Sequence, residues 1–473
     1  MPATTHALTD GQALSVITSQ QVSIRFNAGV GPITIEGSLG SSQFDKIHDR
    51  ITSDRPAEDS SGRLYFNAGR IITMDVRSFE EIRFVGAAVN IDVSPFDSAR
   101  PLSRIATIIG LGNSQLASGV TTSAGNDQQN LATGRHGTVN QHNVIFWASG
   151  YSRARLAYAG VAGEAGLTSA QVLANHLATA RARRATFCVI DAGTNDIGAA
   201  IATSVTIANT RRMIEGLLEV GTTPIISGVL PNRVTTGAAY DNLNEAYRRL
   251  AVEYRIPFED TWGPCVGVDG LGTAGLFRDN THLTHDANRA RGQRIADLIL
   301  AEFPRIPASL LPFSNAAGKA GLFPNPIFNL NSGAVTPTSW TTSGTGASSA
   351  VNSGTVGNTF AHTRGSANAL AHTTSAIAAA GSTYLWVGGI QSSGGVPNAS
   401  SYFGFRDPAS VAASHAWQMR IDSVEIPANL EFAVLFSVPA GFPANRFQMQ
   451  NAGNSSSVIT LQRNELYLMD PWI

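Results

Sequence analysis

Val22–Phe26, Ile33–Glu36, Leu64–Phe66, Ile71–Val76 and Ile82–Val93 are short apolar or alternating runs, and Gly, Asn, Asp and Ser punctuate the stretches between them. No helical period of useful length interrupts this rhythm. The pattern predicts a β-rich unit over residues 1–100, either a small sandwich or a partial barrel. The rhythm changes near residue 104. Arg104–Ile109 reads as a strand running into a Gly-rich turn, Gly110–Gly112, and 117–142 as a polar, Gly-rich loop insertion. Asn143–Trp147 reads as a short strand. Ser169–Arg184 reads as a helix with Thr168 or Ser169 at its N-cap, and Thr186–Asp191 as a buried strand. Ser204–Val220 is an amphipathic helix stopped by Gly221. Pro224–Leu230 and Pro257–Thr261 read as strands. Between them, Ala238–Tyr254 is a helix with Leu243, Ala246, Tyr247 and Leu250 on one face. Asp286–Phe303 is a last helix with Ile295, Leu298 and Ile299 turned inward. Strands alternating with helices of this length predict a parallel sheet covered on both faces over 101–305.

Pro304, Pro307 and Pro312 stop the last helix and open a linker. From about residue 322 the β-rhythm returns. Tyr384–Ile390, Tyr402–Phe405, Trp417–Ile421, Leu430–Val438 and Glu465–Met469 read as strands. They predict a jelly-roll-like sandwich over 320–473. No short-period repeat is evident.

Composition narrows the class. The chain has 473 residues, enough for two or three domains. Charged residues make up only 14%, and Gly, Ala, Ser and Thr fill the difference, a mix that suits extracellular or particle-associated β-rich proteins. A net charge of −1 with no long basic run offers no general attraction to nucleic acid or anionic lipid. Cys188 and Cys265 cannot build a disulfide framework, and neither has metal-ligand spacing. The first residues lack a basic start and apolar stretch, so no secretory signal peptide is expected. No run of ~18 apolar residues suggests membrane insertion.

Four local features fall where the alternating strands end, the edge at which open α/β sheets gather their active sites. Gly110-Leu111-Gly112-Asn113-Ser114 puts a serine on a tight turn after a strand, where it needs an adjacent base to become a nucleophile. Ala159-Gly160-Val161-Ala162-Gly163-Glu164 offers backbone N–H groups to a developing oxyanion, with Gly163 as donor and Gly160 as its rival. Asp191-Ala192-Gly193-Thr194-Asn195-Asp196 places a side-chain amide for the same purpose. In Asp279-Asn280-Thr281-His282 an acid three residues before a histidine can orient the imidazole and set its tautomer. Singly, each has an ordinary reading as a turn or helix cap.

In this order the four blocks resemble the SGNH (GDSL-type) hydrolase family, over about residues 104–304. The resemblance implies a three-layer α/β/α core and a serine esterase. It implies Ser114, Asp279 and His282 as the triad, with the Ser114 N–H, Gly163 and Asn195 forming the oxyanion hole. It requires no cofactor and no metal. Gly193-Thr194-Asn195-Asp196 and Asp279-Asn280-Thr281-His282-Leu283 follow the family's third and last blocks. The departures are Asn113 where Asp is usual, Tyr158 where Asn is common, and Ala165 where Thr is common. A loop is expected after Ser114.

Other residues rank below these. His285 lacks a nearby third ligand, so zinc is not expected. His136 and His142 sit in the insertion, either lining the cleft or solvated. Trp147, Trp262 and Tyr158 could flank a substrate or pack the core. Asn325-Pro326-Ile327-Phe328, Gly333, Pro337 and Trp340 resemble the opening of sugar-binding jelly rolls in carbohydrate-active and phage tail proteins, with Trp386, Tyr402 and Trp417 as candidate sugar-stacking aromatics. The expected substrate is therefore an acetylated polysaccharide. The expected setting is a phage virion tail fibre or tailspike, or an extracellular location reached by a non-classical route. A homotrimer or other homo-oligomer would suit a fibre, although no heptad segment supports it. A lipase, thioesterase or arylesterase, and a non-catalytic adhesin or structural fibre, are the alternatives.

Overall fold

A computed structural model describes residues 4–10, 12–15, 21–26, 30–38, 44–46, 63–66, 71–75, 81–95, 106–117, 137–140, 142–234, 238–303, 340–343, 348–353, 358–363, 369–373, 378–379, 381–393, 401–406, 415–420, 426–427, 430–438, 446–452 and 458–468. His136 and the 325–337 motif lie outside them. The chain divides into two compact units: Met1–Arg104 with Ile214–Thr223, and Ile105–Met213 with Pro224–Pro471.

The regular elements among the described residues of 1–104 are all β-strands, as the short alternating runs there require. They are β1 (Thr4–Leu8), β2 (Ala13–Ser15), β3 (Gln21–Phe26), β4 (Val30–Ser38), β5 (Phe44–Lys46), β6 (Leu64–Phe66), β7 (Ile71–Asp75), β8 (Glu81–Val85) and β9 (Val89–Pro95). One sheet runs β1-β9-β3-β7 and another β2-β8-β4-β5, with β6 also on β4. Alternation turns Ile33 and Ile35 of β4 and Ile82 and Phe84 of β8 into a fully buried face. The sequence reading missed β1, β2 and β5. Each is short or polar and is strand only because a neighbour pairs it, as Val89–Val93 does for Thr4–Leu8.

The second unit opens with β10 (Ala106–Gly112), the one-turn α1 (Ser114–Ala117), β11 (Gly137–Asn140) and α2 (Val144–Tyr151). Then follow β12 (Leu156–Gly163), α3 (Ser169–Arg183), β13 (Phe187–Asp191), α4 (Thr194–Gly198), α5 (Thr203–Leu218), β14 (Thr223–Ser227), α6 (Ala238–Tyr254), β15 (Phe258–Glu259) and α7 (His285–Glu302). The expected strand at Asn143–Trp147 is instead the helix α2. A short, wholly apolar run does not distinguish a buried strand from a buried helix. Here the Asn143 side chain accepts the Phe146 N–H at 2.9 Å and caps the helix. All of Val144–Gly150 is buried. The second block lies at the end of strand β12, ahead of α3.

The remaining strands are β16 (Trp340–Ser343), β17 (Ser348–Ser353), β18 (Asn358–Thr363), β19 (Ala369–Thr373), β20 (Thr383–Ser393), β21 (Tyr402–Arg406), β22 (His415–Arg420), β23 (Glu431–Ser437), β24 (Arg446–Asn451) and β25 (Val458–Leu468). The central sheet has ten strands in the order β15-β14-β13-β10-β12-β23-β20-β25-β18-β17. Its first half is the mostly parallel, helix-flanked α/β/α core. At β12 it passes into the C-terminal strands: β23 pairs with β12 in parallel, Ala157 opposite Ala433 and Tyr158 opposite Val434. The sequence reading drew a boundary between 305 and 320, and the sheet runs across it. A second sheet, β11-β22-β21-β24-β19-β16, also mixes the two regions, because β11 from the 117–142 insertion pairs in parallel with β22.

One hydrophobic core joins these parts, from Ile108, Phe146, Trp147, Tyr158 and Ile295 through to Trp386, Phe403, Trp417 and Phe447. Phe146 stacks on Phe432 at 4.4 Å. The Ser149 hydroxyl donates to the Ala433 carbonyl at 2.9 Å and accepts the Ala433 N–H at 3.0 Å. Burying a side chain such as Phe432 contributes about 2–3 kcal/mol, so α2 is held to β23 by packing and paired polar groups together. The sugar-stacking expectation for Trp386, Tyr402 and Trp417 fails on burial: they are 0%, 7% and 0% exposed. Trp147 and Tyr158 are likewise core.

Candidate active site

β10, β12 and β13 lie side by side, so the segments that leave their carboxyl ends meet at one edge of the sheet. Gly112 pairs with Gly163 on one side and Asp191 on the other. A β-carbon on Gly112 would lie 2.2 Å from the Asp191 carbonyl oxygen, and one on Gly163 would lie 2.3 Å from the Gly112 carbonyl oxygen. Only glycine permits strands this close. Gly163 is therefore level with the serine turn. Gly160, with φ +105°, sits three residues back inside the strand at a register shift.

Ser114 opens α1 directly after the turn. Asn113 shapes that turn: its N–H donates to the Asp191 carbonyl at 3.1 Å and its Oδ1 accepts the Gln115 N–H at 3.0 Å. An amide offers the same acceptor oxygen as a carboxylate, so the Asx turn survives the departure from the usual Asp. Gln115 Nε2 donates to the Thr281 carbonyl at 2.8 Å and ties the serine turn to the histidine loop.

The histidine loop runs from Phe277 to Leu283, which bridge to each other. His282 Nε2 lies 2.9 Å from Ser114 Oγ. His282 Nδ1 lies 2.8 Å from Asp279 Oδ2 and 3.0 Å from Oδ1. Asp279 Oδ1 also accepts the N–H groups of Thr281 at 2.8 Å and of His282 at 2.7 Å. Burial works against charge on Asp279. The two backbone donors and the His282 ring outweigh it and bring its pKa down to about 2. The carboxylate is therefore ionised at any ordinary pH and faces Nδ1, which leaves Nε2 as the acceptor toward Ser114.

Asn195 sits in the first turn of α4, whose N-cap Gly193 has φ +99°. Its Nδ2 donates to the Leu167 carbonyl at 2.8 Å, which orients the amide and leaves a second N–H on the same nitrogen. The neighbouring Asp196 is buried and accepts from Ser169 N at 2.7 Å and Thr206 Oγ1 at 3.0 Å, linking α3, α4 and α5. The structure thus brings Ser114, His282 and Asp279 into one hydrogen-bonded line, with Gly163 at the end of β12 and Asn195 in the helix that follows β13.

Beneath the site lies a cluster that the sequence reading missed. Arg291 of α7 is fully buried; it donates to Asp191 Oδ2 at 2.7 Å and to Glu259 Oε1 at 2.8 Å. Burial works against its charge, but Glu259 and Asp191 outweigh it and hold the guanidinium protonated. Ser227 Oγ completes the cluster by donating to Glu259. A signal existed: Arg291 falls on the same helical stripe as Ile295 and Ile299, and a charge on an inward stripe requires a buried partner. Of the lesser candidates, His142 lies near the site, Trp262 packs at 5.9 Å from Tyr240, and His285 pairs with Asp286 at 3.2 Å. Among the described residues no group of His, Cys, Asp or Glu could hold a metal ion.

Residues 113–290 match the model of the GDSL-like lipase/acylhydrolase family. Similar solved structures include a GDSL-like lipase from Bacteroides thetaiotaomicron, at 19% identity and TM-score 0.31, covering 42% of this chain and 88% of that one. A member of the lipolytic protein G-D-S-L family from Veillonella parvula has 18% identity and TM-score 0.31, covering 42% and 98%. An acetyl xylan esterase has 13% identity and TM-score 0.32, covering 40% and 98%. No curated protein matches the chain. Residues 113–290 therefore carry a GDSL-like lipase/acylhydrolase domain.

Proposed function

We propose that the chain is a serine ester hydrolase that removes O-acetyl groups from a polysaccharide. One observation carries the chemistry: the unbroken line from Ser114 Oγ through the His282 ring to Asp279, with contacts of 2.9 and 2.8 Å. His282 Nε2 takes the Ser114 proton as Oγ attacks the ester carbonyl. The Ser114 N–H, the Gly163 N–H and the second Asn195 Nδ2 hydrogen receive the oxyanion. Collapse of the tetrahedral intermediate breaks the bond to the alcohol oxygen, which takes the proton back from His282. Water, deprotonated by His282, then attacks the acetyl-Ser114 ester, and acetate leaves with Ser114 restored.

The substrate class rests on different ground. A hydrolase domain preceded by β-structure and followed by a Gly- and Ser-rich β-region of low charge suits an enzyme that works on an extended glycan outside a cell. A phage tail fibre or tailspike is the setting we favour. Acetate release from acetylated polysaccharides, read beside a series of p-nitrophenyl esters of rising chain length, tests the reading. Ser114→Ala should lower turnover about 10⁴-fold or more while leaving the fold unchanged. A rate that climbs with acyl length would instead identify a lipase or thioesterase. A wild-type protein without turnover would identify an adhesin. Absence of the protein from purified virions would remove the tail setting.

A further inference from the structure

We propose that His142 is a specificity residue that reads the alcohol half of the ester, by hydrogen-bonding a hydroxyl next to the scissile oxygen. The proposal rests on ester hydrolysis at Ser114 and goes beyond it by naming what the site recognises.

His142 immediately precedes Asn143, the cap of α2. Its ring lies edge-on to His285, with centroids 6.2 Å apart at an interplanar angle of 60°. It is half-buried and stands within electrostatic reach of Arg278, His285 and His282. Two further imidazoles, His142 and His285, from two distant segments thus lie in the neighbourhood of the triad histidine. His282 Nε2 must reach both Ser114 Oγ and the departing alcohol oxygen, and the proposal assigns the alcohol half to the groups near its ring. Gly163, at the end of β12, and Asn195, in the helix that follows β13, serve the carbonyl oxygen.

The electrostatics select the kind of group that His142 can read. Burial first, then Arg278, His285 and His282, push its pKa down to about 4. The other charged groups on this rim are Asp279, Asp286 and Arg289, from α7 and the loop leading into it; Asp286 pairs with Arg289 at 3.2 Å. At neutral pH His142 is therefore an uncharged ring with one donor and one acceptor nitrogen, a match for a hydroxyl rather than an ion. A neutral ring also raises no charge against the imidazolium that His282 becomes during attack.

The ring's backbone sits on a rigid support. α2 crosses α7 at Gly292, where a β-carbon would lie 2.5 Å from Trp147 Cβ. The other face of α2 is clamped to β23 through Ser149 and Phe432. A recognition group held this way keeps its geometry. The alcohol it fits carries a hydroxyl beside the ester oxygen, as sugar esters and glycerol esters do.

The test compares glycerol 1-acetate with propyl acetate, which share the acetyl group and the three-carbon chain and differ in hydroxyls. Wild-type kcat/KM should favour glycerol 1-acetate. His142→Ala should shrink that preference about fivefold or more, mainly through KM, as loss of one net hydrogen bond does. His142→Gln, which keeps a donor and an acceptor, should restore part of it; His142→Phe should not. Measurable propyl acetate turnover in each variant shows that the triad is assembled. A wild type without preference, or an unchanged ratio in His142→Ala, would overturn the proposal. Neither ester is a polymer, so failure to release acetate from any polysaccharide would remove the polysaccharide reading and leave this one standing.

Discussion

A β-carbon on Gly163 would lie 2.3 Å from the Gly112 carbonyl oxygen, so the side chain that is absent there matters as much as those present around Ser114. Gly163→Ala must push β12 away from the serine turn and displace the oxyanion donors. A misplacement of about 1 Å costs about 10²-fold in rate. We expect kcat to fall by roughly that factor with a smaller change in KM, measured on p-nitrophenyl acetate. Asp279 supports the opposite kind of prediction, through charge. Its pKa of about 2 lies below the ordinary 3.8, so its contribution to stability is present above about pH 4 and lost as pH falls toward 2. The side chain is 48% exposed, so water screens that contribution and keeps it small. Its weight is in catalysis. Asp279→Asn should lower kcat by up to about 10⁴-fold, because the amide can stabilise the wrong His282 tautomer. In the wild type, the acid limb of the kcat/KM profile should contain no titration of Asp279 above about pH 3.

At the scale of elements, α7 and the loop before it carry the site. The loop supplies Asp279 and His282, and six residues into the helix Arg291 locks it to the floor of the sheet. Arg291 joins Asp191 at the end of β13 to Glu259 at the end of β15. Removing one partner of a buried charge pair leaves the others uncompensated, which costs about 3–5 kcal/mol. Arg291→Met should therefore destabilise the protein by that amount in denaturant unfolding. α2 has the second structural role. Its N-terminal end borders the histidine loop, and its flank packs on β23. Its sequence is apolar enough to be either helix or strand. The Asn143 cap and its close neighbours decided which.

At the scale of the second unit, the central sheet does not stop where a hydrolase core would. β12 is an interior strand, covered on its outer side by β23. A chain cut after residue 305 would bare the β12 edge and the apolar surfaces facing Phe432 and Trp417. Such an edge invites pairing with other chains. We expect that truncation to aggregate, and a fragment of 105–473 to stay monodisperse in size-exclusion chromatography. The four blocks stood out in the sequence because each is a distinctive local pattern: a serine after a tight glycine turn, a run of small residues, an amide after an apolar strand, an acid three residues before a histidine. The alternating strands and helices were legible because burial imposes a period on the apolar positions. Long-range pairing leaves no such local mark. Nothing in Leu430–Val438 says that its parallel neighbour is Leu156–Gly163, nor in Gly137–Asn140 that it joins β22. The same holds for Trp386 and Trp417, whose aromatic character suits a sugar face or a core equally well; two sheets closing over them settled the matter. Ser114, His282 and Asp279 could thus be singled out from local sequence, whereas their hydrogen-bonded line, and the approach of His142 to His285, exist only once distant segments pack together.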